Sequence, residues 1–172
     1  MFNYKLVKTL LTQLISLNFL LLYGQNDKPE RNAFLLRVEI DSVNYYQQEV
    51  IKSPYFVKEK ILQIYPSEKL YIETEIKSDS IFSMKTVNEN LNPEKTIIIK
   101  FNQNTKGRLH DGMMLSVKNP FNKTLKYEAL MYLNGGTEWI PTSIIPIRPN
   151  LENYELWNDI ILSIVLVEWR IE

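Results

Sequence analysis

Cysteine is absent from this 172-residue chain, histidine occurs once, and glycine only five times. Without cysteine there can be no disulfide, no thiolate metal site and no cysteine nucleophile, so stability has to come from an apolar core. A single histidine cannot build a zinc site. The lack of a cysteine near residue 24 removes the lipid attachment point that bacterial lipoproteins use. No helical pattern of any length, no internal repeat and no low-complexity segment is visible. Basic residues stand singly among acids, with no stripe to track a phosphate backbone, which argues against a nucleic-acid partner.

What is present starts with an export signal. Lys5 and Lys8 give a basic start, and no acid precedes Asp27. An apolar run follows from Leu10 to Leu22, closing on Tyr23-Gly24-Gln25. That order of charged, apolar and small residues predicts a secretory signal helix over 1–24, cleaved after Gly24. Leu22 falls where a small residue is preferred, so an uncleaved anchor is the alternative. Its apolar run of about 14 residues is broken by Gln13, Ser16 and Asn18, against the roughly 20 a spanning helix needs. The expected mature chain is secreted or periplasmic. Removing Lys5 and Lys8 from 20 basic residues leaves 18 against 20 acids, a net charge of −2.

Residues 25–33 read as a polar linker and 34–172 as one domain. Period-two alternation recurs along that domain. Leu36, Val38 and Ile40 mark one strand; Ile61 to Ile64 another; Leu70, Ile72, Thr74 and Ile76 a third with an acidic outer face. Ile81 to Val87 and Thr96 to Phe101 follow. Val43 to Lys52 has no clean period and reads as a short helix or a decorated loop. Met113, Leu115 and Val117, then Leu125 to Leu133, flank the turn Asn119-Pro120-Phe121-Asn122-Lys123 and predict a β-hairpin. Trp139 to Pro146 contains two prolines and must be an edge strand or crossover. Asn150 to Asp159 reads as irregular or briefly helical. Ile160 to Ile171, apolar on both faces, predicts a central strand. About eight strands argue for an antiparallel two-sheet sandwich, with a closed barrel as competitor.

The C-terminal cadence carries a resemblance. Lys118-Asn119-Pro120-Phe121 leads to the Tyr127–Tyr132 strand, then Trp139 and Thr142-Ser143-Ile144-Ile145-Pro146, then Glu155-Leu156-Trp157 and a last strand ending at Trp169-Arg170. Over roughly the last 60 residues this order resembles uncharacterised exported bacterial proteins with immunoglobulin-like sandwiches. The resemblance implies that fold and brings no activity and no functional residue.

Candidate chemistry is thin. His110 beside Asp111 could activate Ser116 or Ser143, but adjacent residues rarely face each other and no Gly-x-Ser-x-Gly turn exists. Asp27, Glu152, Glu155 and Asp159 lack calcium-loop spacing, so no metal or cofactor is expected. Glu73, Glu75 and Glu128 would have to pair to serve a glycosidase, and wet-face acids are what solubility alone produces. Aromatic residues are the better candidates: Tyr127, Tyr132, Trp139 and Trp157 could stack on sugar rings or another small ligand, while packing is the ordinary use of such rings. Trp157 is expected to plug the end of the sandwich, and Glu155 to satisfy loop backbone donors. Two functions follow as expectations: a non-catalytic structural or protein-interaction module of the cell envelope, or a glycan or small-ligand binder. The partner is an unidentified protein or glycan, with no stable membrane insertion after cleavage.

Overall fold

The computed structural model describes residues 26–172, so the expected signal segment lies outside the described residues. They form an all-β structure with one 3₁₀ turn, Pro93–Lys95. The strands are Glu30–Arg31 (β1), Phe34–Glu39 (β2), Tyr45–Val50 (β3), Ser53–Pro54 (β4) and Phe56–Lys58 (β5). Then come Ile61–Ile64 (β6), Glu68–Lys77 (β7), Ser80–Val87 (β8), Thr96–Lys106 (β9) and Leu109–Lys118 (β10). Leu125–Leu133 (β11), Trp139–Thr142 (β12), Glu152–Trp157 (β13) and Ile161–Ile171 (β14) complete the chain.

Two five-stranded antiparallel sheets carry the core, one in the order β13-β10-β9-β7-β8 and the other β12-β11-β14-β6-β5. Their apolar alternation puts Ile97, Ile99, Phe101, Met113, Leu115 and Val117 of the first sheet against Leu62, Ile64, Leu125, Ile164 and Leu166 of the second. Each such side chain, fully buried, contributes about 1.5–3 kcal/mol. The period of two points every second residue into one core, and this is why the strands form where the alternation is cleanest. Strand β14 is central and β12, with Pro141, is an edge, as the sequence predicts. The ribbon β2–β3 lies outside both sheets and buries Leu36, Val38 and Val50 against Leu162, with Tyr65, Tyr132 and Ile160 around them.

Three sequence expectations are corrected here. Strands β10 and β11 do not pair: β10 lies between β9 and β13, and β11 between β12 and β14. Both runs face the same core from opposite sheets, and periodicity cannot tell that arrangement from a hairpin. The chain changes sheets at Asn119, which is fully buried. Its Nδ2 donates to the carbonyls of Lys123 (2.8 Å), Ile147 (3.0 Å) and Arg148 (3.1 Å), and its Oδ1 accepts from the Phe121 N–H at 2.9 Å. Tyr45–Val50 is a strand and not a helix or loop, since a ribbon wet on one face needs few apolar residues. Glu152–Trp157 is also a strand; its exposed positions are the apolar Tyr154 and Leu156, the reverse of the usual alternation.

Residues 26–32, read from sequence as linker, run along the domain. Asp27 bridges Val87, β1 pairs β4, and Arg31 is only 2% exposed. This segment covers Thr86, a buried residue whose hydroxyl has no hydrogen-bond partner among the described residues. Replacing Thr86 by valine removes a desolvated hydroxyl at nearly constant shape. We expect a gain of about 1 kcal/mol, seen as a higher urea midpoint with unchanged slope.

Candidate functional site

Strands β12 and β13 close the same flank of the two sheets. Trp157 Nε1 donates to Thr142 Oγ1 at 3.1 Å, linking the two edges. Between them the chain leaves the second sheet at Ser143 and returns at Ile147, which exchanges both backbone bonds with Leu125 at 2.9 Å. Side chains hold the crossover in place. Glu155 Oε1 accepts from the Ile145 N–H at 3.0 Å, and Asn153 Nδ2 donates to the Ile145 carbonyl at 3.3 Å. Glu155 thus satisfies a loop donor as expected from sequence, and Trp157 packs half-buried on the core edge.

Because the polar side chains of β13 are used on the crossover, its apolar ones face water. Leu156 is 67% and Tyr154 56% exposed, and Ile145 on the crossover reaches 64%. Six of the fifteen exposed large apolar side chains among the described residues fall between Trp139 and Leu156: those three with Trp139, Ile140 and Leu151. The Glu152 carboxylate beside Tyr154 pushes its phenol above the ordinary tyrosine range.

The crossover also opens a gap in the sheet edge. Leu125 is bonded to Ile147, and Ala129 is paired with Thr142, but Tyr127 between them has no strand opposite. Antiparallel alternation aims the Tyr127 N–H and C=O to the same side as those of Leu125. Neither has a backbone partner there among the described residues. The gap is a cleft of about 430 Å³ with Lys126, Glu128, Thr142, Ser143 and Arg170 on its walls.

The four aromatic candidates do not form one platform. Tyr127 is buried, its ring stacked on Trp169 at 4.9 Å, so it offers no face to a ligand; burial also holds its phenol far above the ordinary range. Tyr132 and Trp139 meet at 5.4 Å but are tilted by 51°, and Trp139 is 40% exposed. Trp157 lies on the other sheet. The remaining candidates are dispersed. Asp111 pairs with Lys106 at 2.8 Å, and Ser116 is buried in β10. Glu73 bonds Asn92 and Lys95, Glu75 bonds Lys77 and Ser83, and Glu128 sits in the opposite sheet beside Arg170. Asp27 pairs with Lys85, and Glu152 lies 3.7 Å from Lys100. No three Asp, Glu or His side chains come together as a metal set among the described residues. The apolar flank was not singled out from sequence; the signal available was the inverted alternation of Glu152–Trp157.

Comparison with protein-family models, with curated proteins and with solved structures gives no match.

Proposed function

We propose that this chain is an exported, non-catalytic immunoglobulin-like sandwich serving as a protein-interaction module of a bacterial cell envelope, and that it binds its partner along the β12–β13 flank. The observation carrying this reading is the pair of exposed apolar side chains Tyr154 and Leu156 on the outward face of edge strand β13, with exposed Ile145 on the crossover bonded to that strand and a gap with an unpaired peptide in the neighbouring edge. Apolar groups grouped in this way are the usual mark of a docking surface, and an edge with free backbone groups suits an extended segment of a partner protein. The basic, then apolar, start of the chain supports export. Of the four ring candidates for a glycan only Trp139 is exposed, and the ring it meets is tilted away from its plane.

The test substitutes Tyr154 and Leu156 by aspartate. Both side chains are exposed, so stability should change by no more than about 0.5 kcal/mol. Cross-linked complexes recovered from the producing cell should fall at least about tenfold, the effect of losing one apolar anchor worth roughly 1.4 kcal/mol. Recovery equal to that of the unmodified chain would refute the flank as the binding surface.

A further inference from the structure

The sole histidine of the chain sits in a relay whose polarity can be worked out from its ends. Gln103 on β9 pairs with the backbone of Glu39 on β2: its Oε1 accepts from the Glu39 N–H at 2.8 Å, and its Nε2 donates to the Glu39 carbonyl at 2.6 Å. A peptide N–H can only donate and a peptide carbonyl only accept, so Glu39 fixes which way the amide faces. The second N–H of Gln103 Nε2 lies 2.7 Å from His110 Nδ1, which must therefore accept. His110 Nε2 then carries the proton and donates to the Asn158 carbonyl at 3.0 Å. The neutral Nε2–H tautomer alone satisfies all four bonds.

Local backbone holds the ring there. Gly112, at φ +117, carries an irregularity in the β9–β10 ladder just after His110. A Cβ at this glycine would meet the Trp157 carbonyl at 3.0 Å, so the close approach to the end of β13 needs glycine.

We propose that this relay is a pH-sensitive latch: protonating His110 puts an N–H on Nδ1, facing the N–H of Gln103, and breaks the Gln103–Glu39 contact, so that this end of the β2–β3 ribbon is left tied to the two-sheet body through Arg108, which bonds the Glu39 carboxylate and the Val43 carbonyl. Rotating the Gln103 amide to meet the imidazolium does not relieve the conflict, because it sets donor against donor and acceptor against acceptor at Glu39. The charged groups on the elements that meet here are Arg37 and Glu39 on β2, Asp41 after it, Lys106 on β9, Arg108 in the turn between β9 and β10, Asp111 on β10, and Asp159 after β13. Glu39 is bonded by Arg37 and Arg108, and Asp111 by Lys106. The Arg37 and Arg108 contacts hold the Glu39 carboxyl below its ordinary range, and bonds from Asn44 and Val43 do the same for Asp41, so both stay ionised where imidazoles titrate. The sign follows: the neutral ring is the bonded form, so the contact is intact while the ring is neutral and weakens as falling pH protonates it. The unlatched ribbon would loosen its cover over Leu162 and Tyr132.

Nitrogen-15 NMR of the protein tests this at two pH values. At pH 8 the His110 ring should show the single Nε2–H tautomer. At pH 5.5 the protection of the Glu39 amide against exchange, corrected for the intrinsic rate, should fall about tenfold, the loss of one hydrogen bond. His110→Gln supplies a carbonyl acceptor and an amide donor that do not titrate, and should keep Glu39 equally protected at both pH values. An Nδ1–H tautomer at pH 8, a ring still neutral at pH 5.5, or Glu39 protection constant within twofold while the ring titrates would each overturn the latch.

Discussion

Replacing Arg31 by methionine is expected to destabilise the protein by about 3–5 kcal/mol, the largest effect of any single polar substitution. The guanidinium is buried, and every one of its donors is used. Nε and Nη2 reach the Glu68 carboxylate at 3.0 and 3.4 Å, Nη2 reaches the Gln63 carbonyl at 2.6 Å, and Nη1 reaches Ser53 Oγ and the Pro54 carbonyl at 3.3 and 3.1 Å. Tyr55 and Tyr65 flank it at 4.6 and 5.0 Å, adding cation–π attraction in a site with little water. Methionine fills much of the volume but leaves the Glu68 carboxylate, itself largely buried, without its cation. The double variant Arg31→Met with Glu68→Gln should therefore lose less than Arg31→Met alone. Urea unfolding of the three chains reads both numbers. A loss under about 1 kcal/mol for the single variant would mean that water replaces the guanidinium. Arg31 ties β1 to β4, β6 and the start of β7, while residues 26–28 are held separately along β8.

Asn119→Ala should cost about 3 kcal/mol. The side chain satisfies three carbonyls and one N–H where the chain passes from one sheet to the other. Each buried group left without a partner costs about 1–3 kcal/mol, and water can reach the Lys123 and Arg148 carbonyls more readily than that of Ile147. Asn119→Asp keeps the acceptor for Phe121 and loses the donor, so it brings a carboxylate against three carbonyls. It should be no less damaging than alanine. Thermal and urea unfolding read the result, and a loss below about 1 kcal/mol for both variants would remove Asn119 as the organiser of this crossing.

How legible the fold was depended on how each strand meets water. Strands β7, β9, β10 and β11 bury one face, so their alternation shows in the residues themselves, and β14 buries both over most of its length, so it shows as an almost unbroken apolar run. The ribbon strand β3 and edge strand β13 were not legible. Gln47, Gln48 and Glu49 need bury nothing, and in β13 the inward positions hold Asn153 and Glu155, which bond a loop and not a core. Pairing was less legible than strand position. The turn at Asn119 has the composition of a hairpin turn, and only the three carbonyls around its side chain reveal a change of sheet. Arg31 and Gln103 look like ordinary polar residues in the sequence because the groups that fix them in place, Ser53 to Glu68 for Arg31 and Glu39 for Gln103, lie 22 to 64 positions away. At the candidate site, Glu155 and the edge position of β12 were read correctly. Residue type alone points to the four aromatic candidates, and type does not distinguish Tyr127, stacked in the core, from Trp139 at the surface.

The central claim is that the β12–β13 flank is where this protein meets another. Its most direct test places a photo-crosslinking residue at Leu156 in the producing cell, with the same residue at Phe82 and Leu109 as controls of similar exposure on other elements. The account predicts a discrete protein adduct from position 156 and none from 82 or 109. Equal adducts from all three positions, or none from 156 with one from a control, would contradict it.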